Sequence, residues 1–572
     1  MCALEFSEIT YTVTSLNGTK KNILHDINGY FPAGRLIAIM GPSGAGKSSL
    51  LNILTGFRTK NVSGKVRIDS VERNVKDFKK VSCYITQDDN LCDYLTVAEN
   101  MMYAADFKLG PGDNYESKLC QVNEILISLG LYDQRDTMTG RLSGGEKKRL
   151  SVAQEMLSDP MFLFLDEPTT GLDSLSCYQC ISELKNLTHQ GKTVICTIHQ
   201  PSDGIFKLFD QVYVLSQGYC TYQGDIKQMI KFFDKLDLPC SLFSNPADYI
   251  IEMSSGDYGQ DKIERMIEAI DNGRNLLYTT GEEIKQKPPM NTKICLSHFY
   301  EFRTLLKWQW FKLHRNKNLV HLRIFGSISV CLLIGGLYFN AGNDASRMLH
   351  NYYMLLAFII GNTQPALMLT ILYFPREAPI LKKELFNGYY RLKNYLIANT
   401  LTEYPLALFC TLLTSAITYL MTGQLLELRR FAMFSFGQLF VILTSQSVGL
   451  LIGSGMKLVN GIFVGSFILT PLMLLSGFGF MLKDLAMAVR YVSNFAYLKY
   501  CLSMLSVALF GMDRPKWTCP DNEYCLYMRG EHFIAEIGVD LQHYWHDVAV
   551  LCANYCLVKI ATYFVMRQRM NK

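Results

Sequence analysis

Long stretches without charge in the second half of the chain constrain its fold more than any other feature. Charged residues are frequent up to about residue 318, and beyond it lie five apolar runs and a sixth that only Lys559 interrupts. A helix needs roughly 20 apolar residues to cross the hydrocarbon core of a membrane, and most of these runs meet that length or fall slightly short of it. The sequence therefore predicts six spanning helices, at residues 324–339, 354–374, 405–426, 431–456, 458–482 and 548–566.

Basic residues between these runs predict the topology. The segment between the second and third runs carries five of them, and the C-terminal tail carries Arg567, Arg569 and Lys572. The positive-inside rule puts both regions, and with them both termini, in the cytoplasm. Residues 483–545 are then expected outside, while Arg429 and Arg430 on the outer side oppose the rule. The first residues lack the pattern of a cleavable signal, so the internal helices are expected to drive insertion.

The first part of the chain has the pattern of an α/β domain. Apolar strands such as LIAIM and MFLFLD alternate with helical patterns, which is typical of a parallel sheet. We expect this domain at residues 1–253, a polar linker at 254–295 and the spanning region at 318–572. Between them, residues 296–317 have Phe299, Phe302, Leu306, Trp310 and Leu313 at helical spacing with basic residues interspersed. This pattern favours a helix on the membrane surface, the alternative being an amphipathic helix packed on the soluble domain.

The stretch GPSGAGKS matches the phosphate-binding pattern G-x-x-x-x-G-K-[ST] between a strand and a helix. Its glycines allow a tight turn whose N–H groups point at phosphate oxygens, Lys47 neutralises the terminal phosphates, and Ser48 is a magnesium ligand. The predicted ATP-binding residues in this loop are Gly41, Pro42, Ser43, Gly44, Ala45, Gly46, Lys47, Ser48 and Ser49.

A second stretch, MFLFLDEPTTGLDS, supplies the carboxylates that such a loop requires. Asp166 ends an apolar strand, where it can hold magnesium, and Glu167 can orient or deprotonate the attacking water. Gln87 is a candidate for magnesium or water, and His199, after the strand TVICTI, is a candidate for the γ-phosphate. Asp173, near the end of the second stretch, is a further candidate for nucleotide binding.

Between these motifs lies LSGGEKKR, which resembles the signature of ATP-binding cassette (ABC) proteins. The resemblance covers almost the whole chain and implies a P-loop NTPase domain followed by an all-α membrane domain. In that family the signature binds the ATP held by the opposite cassette, so Ser143, Gly144 and Gly145 would contact a γ-phosphate in a dimer. A cassette that precedes its membrane domain is similar to the G, or white-type, half-transporters. The stretch CTIHQPSDGIFKLFDQVYVLSQG is also similar to this subfamily. In the membrane half, LIGSG, LLSGFGF and YLKYCLSMLSVALFGMDR are similar to its sterol- and lipid-exporting branch.

Several residues remain open at the level of sequence. Cys519 and Cys525 are close enough to form a small extracellular disulfide, or else are two free thiols. Tyr11 is the nearest aromatic that could stack on adenine. Lys559 is expected to extend toward the cytoplasmic headgroups. Glu403 is either interfacial or part of a polar network between helices.

The resulting functional hypothesis is an ATP-driven exporter of sterols or other lipids in a plasma or vesicle membrane, acting as a homodimer or heterodimer. Few polar residues lie deep in the spans, which favours an apolar cargo. The alternatives are transport of small aromatic pigment precursors and an ATP-gated channel or lipid regulator that uses the same parts. The six spans argue against a soluble ATPase acting on ribosomes or DNA, so no nucleic-acid partner is expected. The expected walls of the cargo cavity are Leu355, Phe358 and Ile359 of the second span and Phe463, Phe467 and Leu472 of the fifth.

Overall fold

The computed structural model describes residues 2–14, 18–238, 245–274, 296–477, 486–520, 525–539 and 543–570. The chain forms two compact units. The first consists of Met1–Glu301 together with Lys383–Arg391, and the second of Phe302–Lys382 and Leu392–Lys572.

Two sheets organise the first unit. Their strands are β1 Leu4–Thr14, β2 Lys20–Phe31, β3 Leu36–Met40, β4 Val62–Ile68, β5 Val71–Glu72, β6 Ser82–Ile85, β7 Phe162–Leu165, β8 Thr193–Thr197, β9 Gln211–Ser216 and β10 Tyr219–Asp225. The six-stranded sheet has the order β10-β9-β3-β8-β7-β6, in which only β10 is antiparallel to its neighbour. The four-stranded sheet, β2-β1-β4-β5, is antiparallel. The predicted α/β fold class is confirmed.

Helices cover the central sheet, which explains why its inner strands are continuously apolar. Every residue of β3 and β7 is buried, as expected of parallel strands with helices on their faces. The helices of the first unit are α1 Lys47–Leu54, α2 Val75–Val81, α3 Val97–Lys108, α4 Tyr115–Ser128, α5 Gly144–Met156, α6 Ser174–His189, α7 Asp203–Phe206, α8 Ile226–Lys235, α9 Pro246–Ser255 and α10 Gln260–Ala269.

The first unit extends beyond the predicted boundary at residue 253. Ile263 and Met266 on α10 are buried, and the amide of Asn272 donates to the backbone oxygens of His25 and Asp26 at 2.8 and 3.0 Å. Gly273 is required here because a Cβ at this position would lie 2.1 Å from the Asn28 oxygen. The start of the expected linker is therefore folded structure, and its remainder, residues 275–295, lies outside the described residues.

The second unit is helical. Its elements, of which α11 and α13 continue into the first unit, are α11 His298–Arg315, α12 Lys317–Leu337, α13 Met348–Phe386, α14 Leu392–Met421, α15 Leu428–Gly455, α16 Leu458–Leu475, α17 Met487–Ser493, α18 Tyr497–Phe510, α19 Gly530–Ile537 and α20 Tyr544–Met570. Six of these helices, α12 to α16 and α20, are long and apolar enough to cross a membrane. The six predicted spans are thus confirmed as helices. Five are longer than their apolar runs, whereas α16 ends at Leu475, and residues 478–482 of its run lie outside the described residues.

One part of the segment expected outside is instead built into the helical core. Helix α18 is almost entirely buried, and it packs against α15 and α20. The preceding helix α17 is bent away from it by 86°. Residues 497–510 therefore do not form an external loop, which corrects the prediction for the segment 483–545. Cys519 and Cys525 are joined by a disulfide, with their Cα atoms 6.1 Å apart.

The amphipathic helix α11 buries a different face from the one predicted. Phe299 and Trp310, two residues of the predicted apolar face, are exposed, whereas Leu305 and Trp308 are buried. Leu305 and Trp308 lie one and two positions from Leu306. In a helix with 3.6 residues per turn, a shift of two positions corresponds to about half a turn, so the apolar face is rotated by up to that angle.

Candidate functional site

The candidate ATP site lies at one edge of the six-stranded sheet. Strands β6, β7, β8 and β3 are parallel neighbours, so their carboxyl ends meet at the same edge. The phosphate loop follows β3, Asp166 and Glu167 follow β7, and Gln87 follows β6. Open α/β sheets bind ligands at this edge.

The phosphate loop turns sharply between β3 and α1. Gly44 and Gly46 have φ angles of 79° and 104°, in the left-handed region that glycine adopts without strain. Lys47 is only 6 % exposed, and its ammonium donates to the backbone oxygens of Gly41 at 2.8 Å and Pro42 at 3.0 Å. Burial lowers the pKa of Lys47, and the charges of Glu167 and Asp166 oppose that shift.

Asp166 is held by hydroxyl groups from three strands or helices. Its Oδ1 accepts from Ser48 at 3.0 Å and from Thr197 at 2.7 Å, and its Oδ2 lies 3.4 Å from the hydroxyl of Tyr84. Thr197 ends β8 and is fully buried. Neither Thr197 nor Tyr84 was recognised from the sequence. Their positions could have identified them, because Thr197 and Tyr84 lie at or near the carboxyl ends of β8 and β6, the two strands that flank β7.

Glu167 is positioned beside Asp166 by its own set of contacts. One carboxylate oxygen accepts from Gln87 Nε2 and from Thr170 Oγ1, each at 2.9 Å. Its backbone N–H donates to Thr197 Oγ1 at 2.8 Å, and its φ of 47° lies in the left-handed region. Such strained positions persist only where surrounding contacts enforce them, and they are common at active sites.

A buried lysine from the signature stretch fastens the loop that carries Gln87. Lys148 on α5 donates to the backbone oxygen of Gln87 at 2.8 Å and pairs with Asp89 at 2.9 Å. A buried ammonium with these partners fixes the loop backbone relative to α5. The sequence motif contained Lys148 but did not indicate this role.

The glycine pair of the signature lies at the amino end of α5. Ser143 caps this helix in a capping box with Glu146, and added Cβ atoms on Gly144 and Gly145 would lie 3.0 Å from Leu172 and Ser176. The end of α5 thus presents free N–H groups and a positive dipole, which suit an anion. Among the described residues, no hydrogen bond or ion pair joins Ser143 to the phosphate loop or to Asp166 and Glu167.

Three other candidates are less closely integrated. His199 is exposed beyond the end of β8. Asp173 is the exposed N-cap of α6, where the hydrogen bond from Ser176 lowers the pKa of its carboxyl group. Tyr11 is buried, and its ring is covered by the guanidinium of Arg58, 5.1 Å from the ring centroid. A buried and covered ring has no face for adenine, which corrects that expectation.

The oxygen donors at this edge fit a magnesium ion. The Ser48 hydroxyl lies 3.0 Å from a carboxylate oxygen of Asp166. Gln87 is hydrogen-bonded to Glu167, the residue that follows Asp166. Mg²⁺ prefers oxygen ligands and commonly combines one or two protein groups with phosphates and water.

The segment Lys383–Arg391 belongs to the first unit although it connects α13 to α14. The side chain of Asn387 pairs with the backbone of Tyr84, accepting from its N–H at 3.3 Å and donating to its oxygen at 3.2 Å. Tyr103 donates to Glu384 at 2.8 Å and Tyr389 to Glu155 at 3.2 Å. Tyr84 therefore contacts both this segment and Asp166.

The structure separates the residues expected to line a cargo cavity. Leu355, Phe358 and Ile359 are buried in the core of the second unit, where Phe358 stacks on Phe434 with ring centroids 5.1 Å apart. They are core residues, which corrects the expectation that they face cargo. On α16, Leu472 is partly buried against the same core, whereas Phe463 and Phe467 are 71 % and 80 % exposed.

Comparisons with known proteins agree with this architecture. Residues 24–170 match the family model of ABC transporters, and residues 300–510 and 199–269 match two models of ABC-2 type transporters. ABC transporter G family member 21 of Arabidopsis thaliana is 30% identical over 99% of this chain and 90% of its own length. The mouse broad substrate specificity ATP-binding cassette transporter ABCG2 is 29% identical over 98% of this chain and 93% of its own length.

Among solved structures, a bacterial ABC transporter cassette determined as a dimer is 24% identical, covering 39% of this chain and 98% of that chain with a TM-score of 0.36. The order of the two units, the site at the sheet edge and the full-length similarity to the plant relative lead to one assignment. The chain belongs to the G family of ATP-binding cassette transporters, in which ATP hydrolysis is coupled to transport.

Proposed function

We propose that this transporter exports sterols or other apolar lipids and acts as a dimer. The observation that carries the cargo assignment is the exposed apolar surface of α16, which contains no charged residue and leaves Phe463 and Phe467 uncovered within one chain. On a spanning helix an exposed apolar surface contacts bilayer lipid, an apolar ligand or a second subunit. In a dimer this surface supplies a wall suited to a sterol.

Each residue at the sheet edge has a separate role in ATP hydrolysis. The N–H groups of the phosphate loop and the ammonium of Lys47 bind the phosphates of ATP. Ser48, Asp166 and Gln87 would hold magnesium, which supplies positive charge to the transferred phosphoryl group. Glu167 orients and deprotonates the attacking water, and Gln87 Nε2, 2.9 Å from it, holds the carboxylate in place. His199 contacts the γ-phosphate.

A second cassette is needed because the signature has no nucleotide of its own. The amino end of α5 offers the hydroxyl of Ser143 and the N–H groups that follow it, a combination suited to a γ-phosphate. Its partner is the phosphate loop of the opposite subunit, in a homodimer or in a heterodimer with another half-transporter. ATP binding closes the two cassettes, and hydrolysis reopens them.

The contacts of Lys383–Arg391 support a cytoplasmic position for this segment and for both termini. The segment joins the second and third spans, and its side chains bond to residues of the ATP-binding unit. Changes at the nucleotide reach the spans through this connection, with Tyr84 between Asn387 and Asp166. This arrangement agrees with the excess of basic residues in the same segment.

The cargo assignment is tested with purified protein in phospholipid vesicles. We expect a sterol to stimulate ATP hydrolysis and to be moved across the membrane, with Lys47→Met as the inactive control. The panel includes tryptophan and guanine derivatives, and also unrelated apolar compounds because the name of the mouse relative specifies broad substrate specificity. Stimulation by an indole or purine compound without any response to sterol contradicts the lipid assignment and favours pigment precursors. Sterol movement that equilibrates without building a gradient contradicts export.

A further inference from the structure

A polar cavity lies inside the second unit, among helices expected to span the membrane. Five helices line it, and four of them contribute a charged residue: Arg323 on α12, Glu377 on α13, Glu403 on α14 and Lys559 on α20. Charges at membrane depth are costly, and they mark functional sites or internal pairs. The sequence left Glu403 unassigned and directed Lys559 toward the headgroups. The structure turns both side chains into the cavity.

Both carboxylates of the cavity are already satisfied. Glu403 forms an ion pair with Arg323. Glu377 accepts hydrogen bonds from Tyr373 at 2.6 Å and Tyr395 at 3.4 Å, and Lys312 attracts it electrostatically. Each carboxylate therefore has a cation acting on it as well as any neutral donors.

Lys559 is different because its close partners are neutral. Its ammonium donates to the hydroxyl of Thr400 at 3.1 Å and lies 5.5 Å from the ring centroid of Tyr555. The carboxylate that attracts it is Glu403, whose charge is shared with Arg323. Within the described residues, Lys559 has no carboxylate at ion-pair distance. An anionic group beside Lys559 would supply the charge partner that its neutral neighbours do not provide.

The two helices that flank Lys559 expose apolar side chains to their surroundings. These are Ile397, Leu401 and Leu408 on α14 and Leu557, Ile560 and Phe564 on α20. The hydroxyls of Tyr404 and Tyr555, 2.8 Å apart, join the same two helices at the cavity. A ligand here meets an apolar exterior and, inside the cavity, the ammonium of Lys559, which suits an amphiphile with an anionic group.

We propose that Lys559, held in position by Thr400, binds the phosphate group of a membrane phospholipid whose acyl chains lie against α14 and α20. The ammonium supplies a charge-assisted hydrogen bond to a phosphate oxygen. The Thr400 hydroxyl donates to the backbone oxygen of Leu396 at 2.7 Å and accepts from Lys559, so it positions the ammonium. The phosphate group places a negative charge against the ammonium of Lys559, and the bound phospholipid is a resident of the transporter, distinct from its cargo. The site is independent of the proposed sterol transport.

Native mass spectrometry of the purified full-length protein, exchanged into detergent with phosphatidylcholine, tests this site. We expect the wild type to retain one phosphatidylcholine per chain and Lys559→Met to weaken retention by about tenfold or more, as expected on loss of a charge-assisted contact. Lys559→Arg keeps the charge and should retain the lipid. The matched control is Lys457→Met, which removes an exposed lysine from the start of α16 and should leave retention unchanged.

Two further ligands identify the group that is recognised. Diacylglycerol shares the chains but lacks the phosphate, and inorganic phosphate lacks the chains. Retention of diacylglycerol equal to that of phosphatidylcholine, or binding of inorganic phosphate with no retained phospholipid, overturns the proposal. Unchanged phosphatidylcholine retention by Lys559→Met also overturns it. If that variant fails to fold, Thr400→Val is measured instead, and we expect a smaller loss that spares diacylglycerol.

Discussion

At the scale of single residues, Glu167 has a carboxylate whose position is determined by Gln87 and Thr170. We expect Glu167→Gln to retain ATP binding, because the amide keeps the shape of the side chain. Turnover should fall by at least about 100-fold, the usual contribution of a general base. ATPase assays at saturating ATP, together with measurement of bound nucleotide, check both expectations. Near-normal hydrolysis by this variant would remove Glu167 from the catalytic role.

Thr197 joins the two acidic residues of the site, since its hydroxyl donates to Asp166 and accepts from the Glu167 N–H. Thr197→Val keeps the shape and leaves the Glu167 N–H without this acceptor, at a cost of about 1–3 kcal/mol. We expect turnover to fall by about tenfold with little change in the KM for ATP. Thr197→Ser should restore activity.

The matched control for Thr197 is Thr221→Val, which removes another fully buried hydroxyl, from β10. Thr221 bonds to Val214 and Ser254, and within the described part of the chain no hydrogen bond joins it to Asp166 or Glu167. Equal losses of turnover in both valine variants would mean that the effect of Thr197 is general destabilisation.

At the scale of elements, α13 and α16 carry phenylalanines in opposite environments. Phe358→Ala should lower the free energy of unfolding by about 3–5 kcal/mol, because it opens a cavity in a packed core. Phe467→Ala removes an exposed ring and should change stability by less than about 0.5 kcal/mol. Thermal unfolding in detergent measures the difference. In vesicles, Phe467→Ala should keep its basal ATPase and lose sterol stimulation, and intact stimulation would exclude this ring from the cargo site.

Helix α10 shows why one boundary was misjudged at this scale. Its stretch QDKIERMIEA contains two large buried side chains, Ile263 and Met266, in an otherwise polar segment. The polar composition of this stretch is similar to that of a linker, which is why the boundary was predicted before it. The contacts that fold α10 and the following turn into the first unit come from β2 and β10, which lie more than 30 residues away in the chain.

At the scale of the whole molecule, the dimer can be tested by complementation. One subunit carries Lys47→Met and the other Ser143→Arg, each inactive alone. In a mixed dimer one composite site contains both lesions, and the other combines an intact phosphate loop with an intact signature. We expect partial recovery of ATPase activity in mixed dimers isolated with two different affinity tags.

The control for complementation is a dimer in which both tagged subunits carry Lys47→Met, and it should remain inactive. Full-length subunits with wild-type sequence, purified with the same two tags, define the maximum. An absence of recovery in proven mixed dimers contradicts the expectation that a single composite site suffices for hydrolysis.

Features encoded in contiguous residues were determined by the sequence itself. The phosphate loop at residues 41–48, the acidic pair Asp166 and Glu167, and the apolar runs of the six spans depend on spacing within a few turns of chain. Backbone geometry and membrane thickness constrain such patterns locally. The α/β fold and the helical second unit were predictable for this reason, as was the presence of a phosphate loop and an acidic pair at strand ends.

Only the tertiary structure decided which distant side chains became partners. Thr197 lies 31 positions from Asp166, and Lys559 lies 159 positions from Thr400. The sequence around helix α18 indicates a long external segment. In the structure, α18 packs against α15 and α20 and is buried. These contacts depend on strand order and helix packing, which bring remote residues together without a local pattern. A charge or hydroxyl therefore acquires its role from neighbours that its own stretch of sequence does not contain.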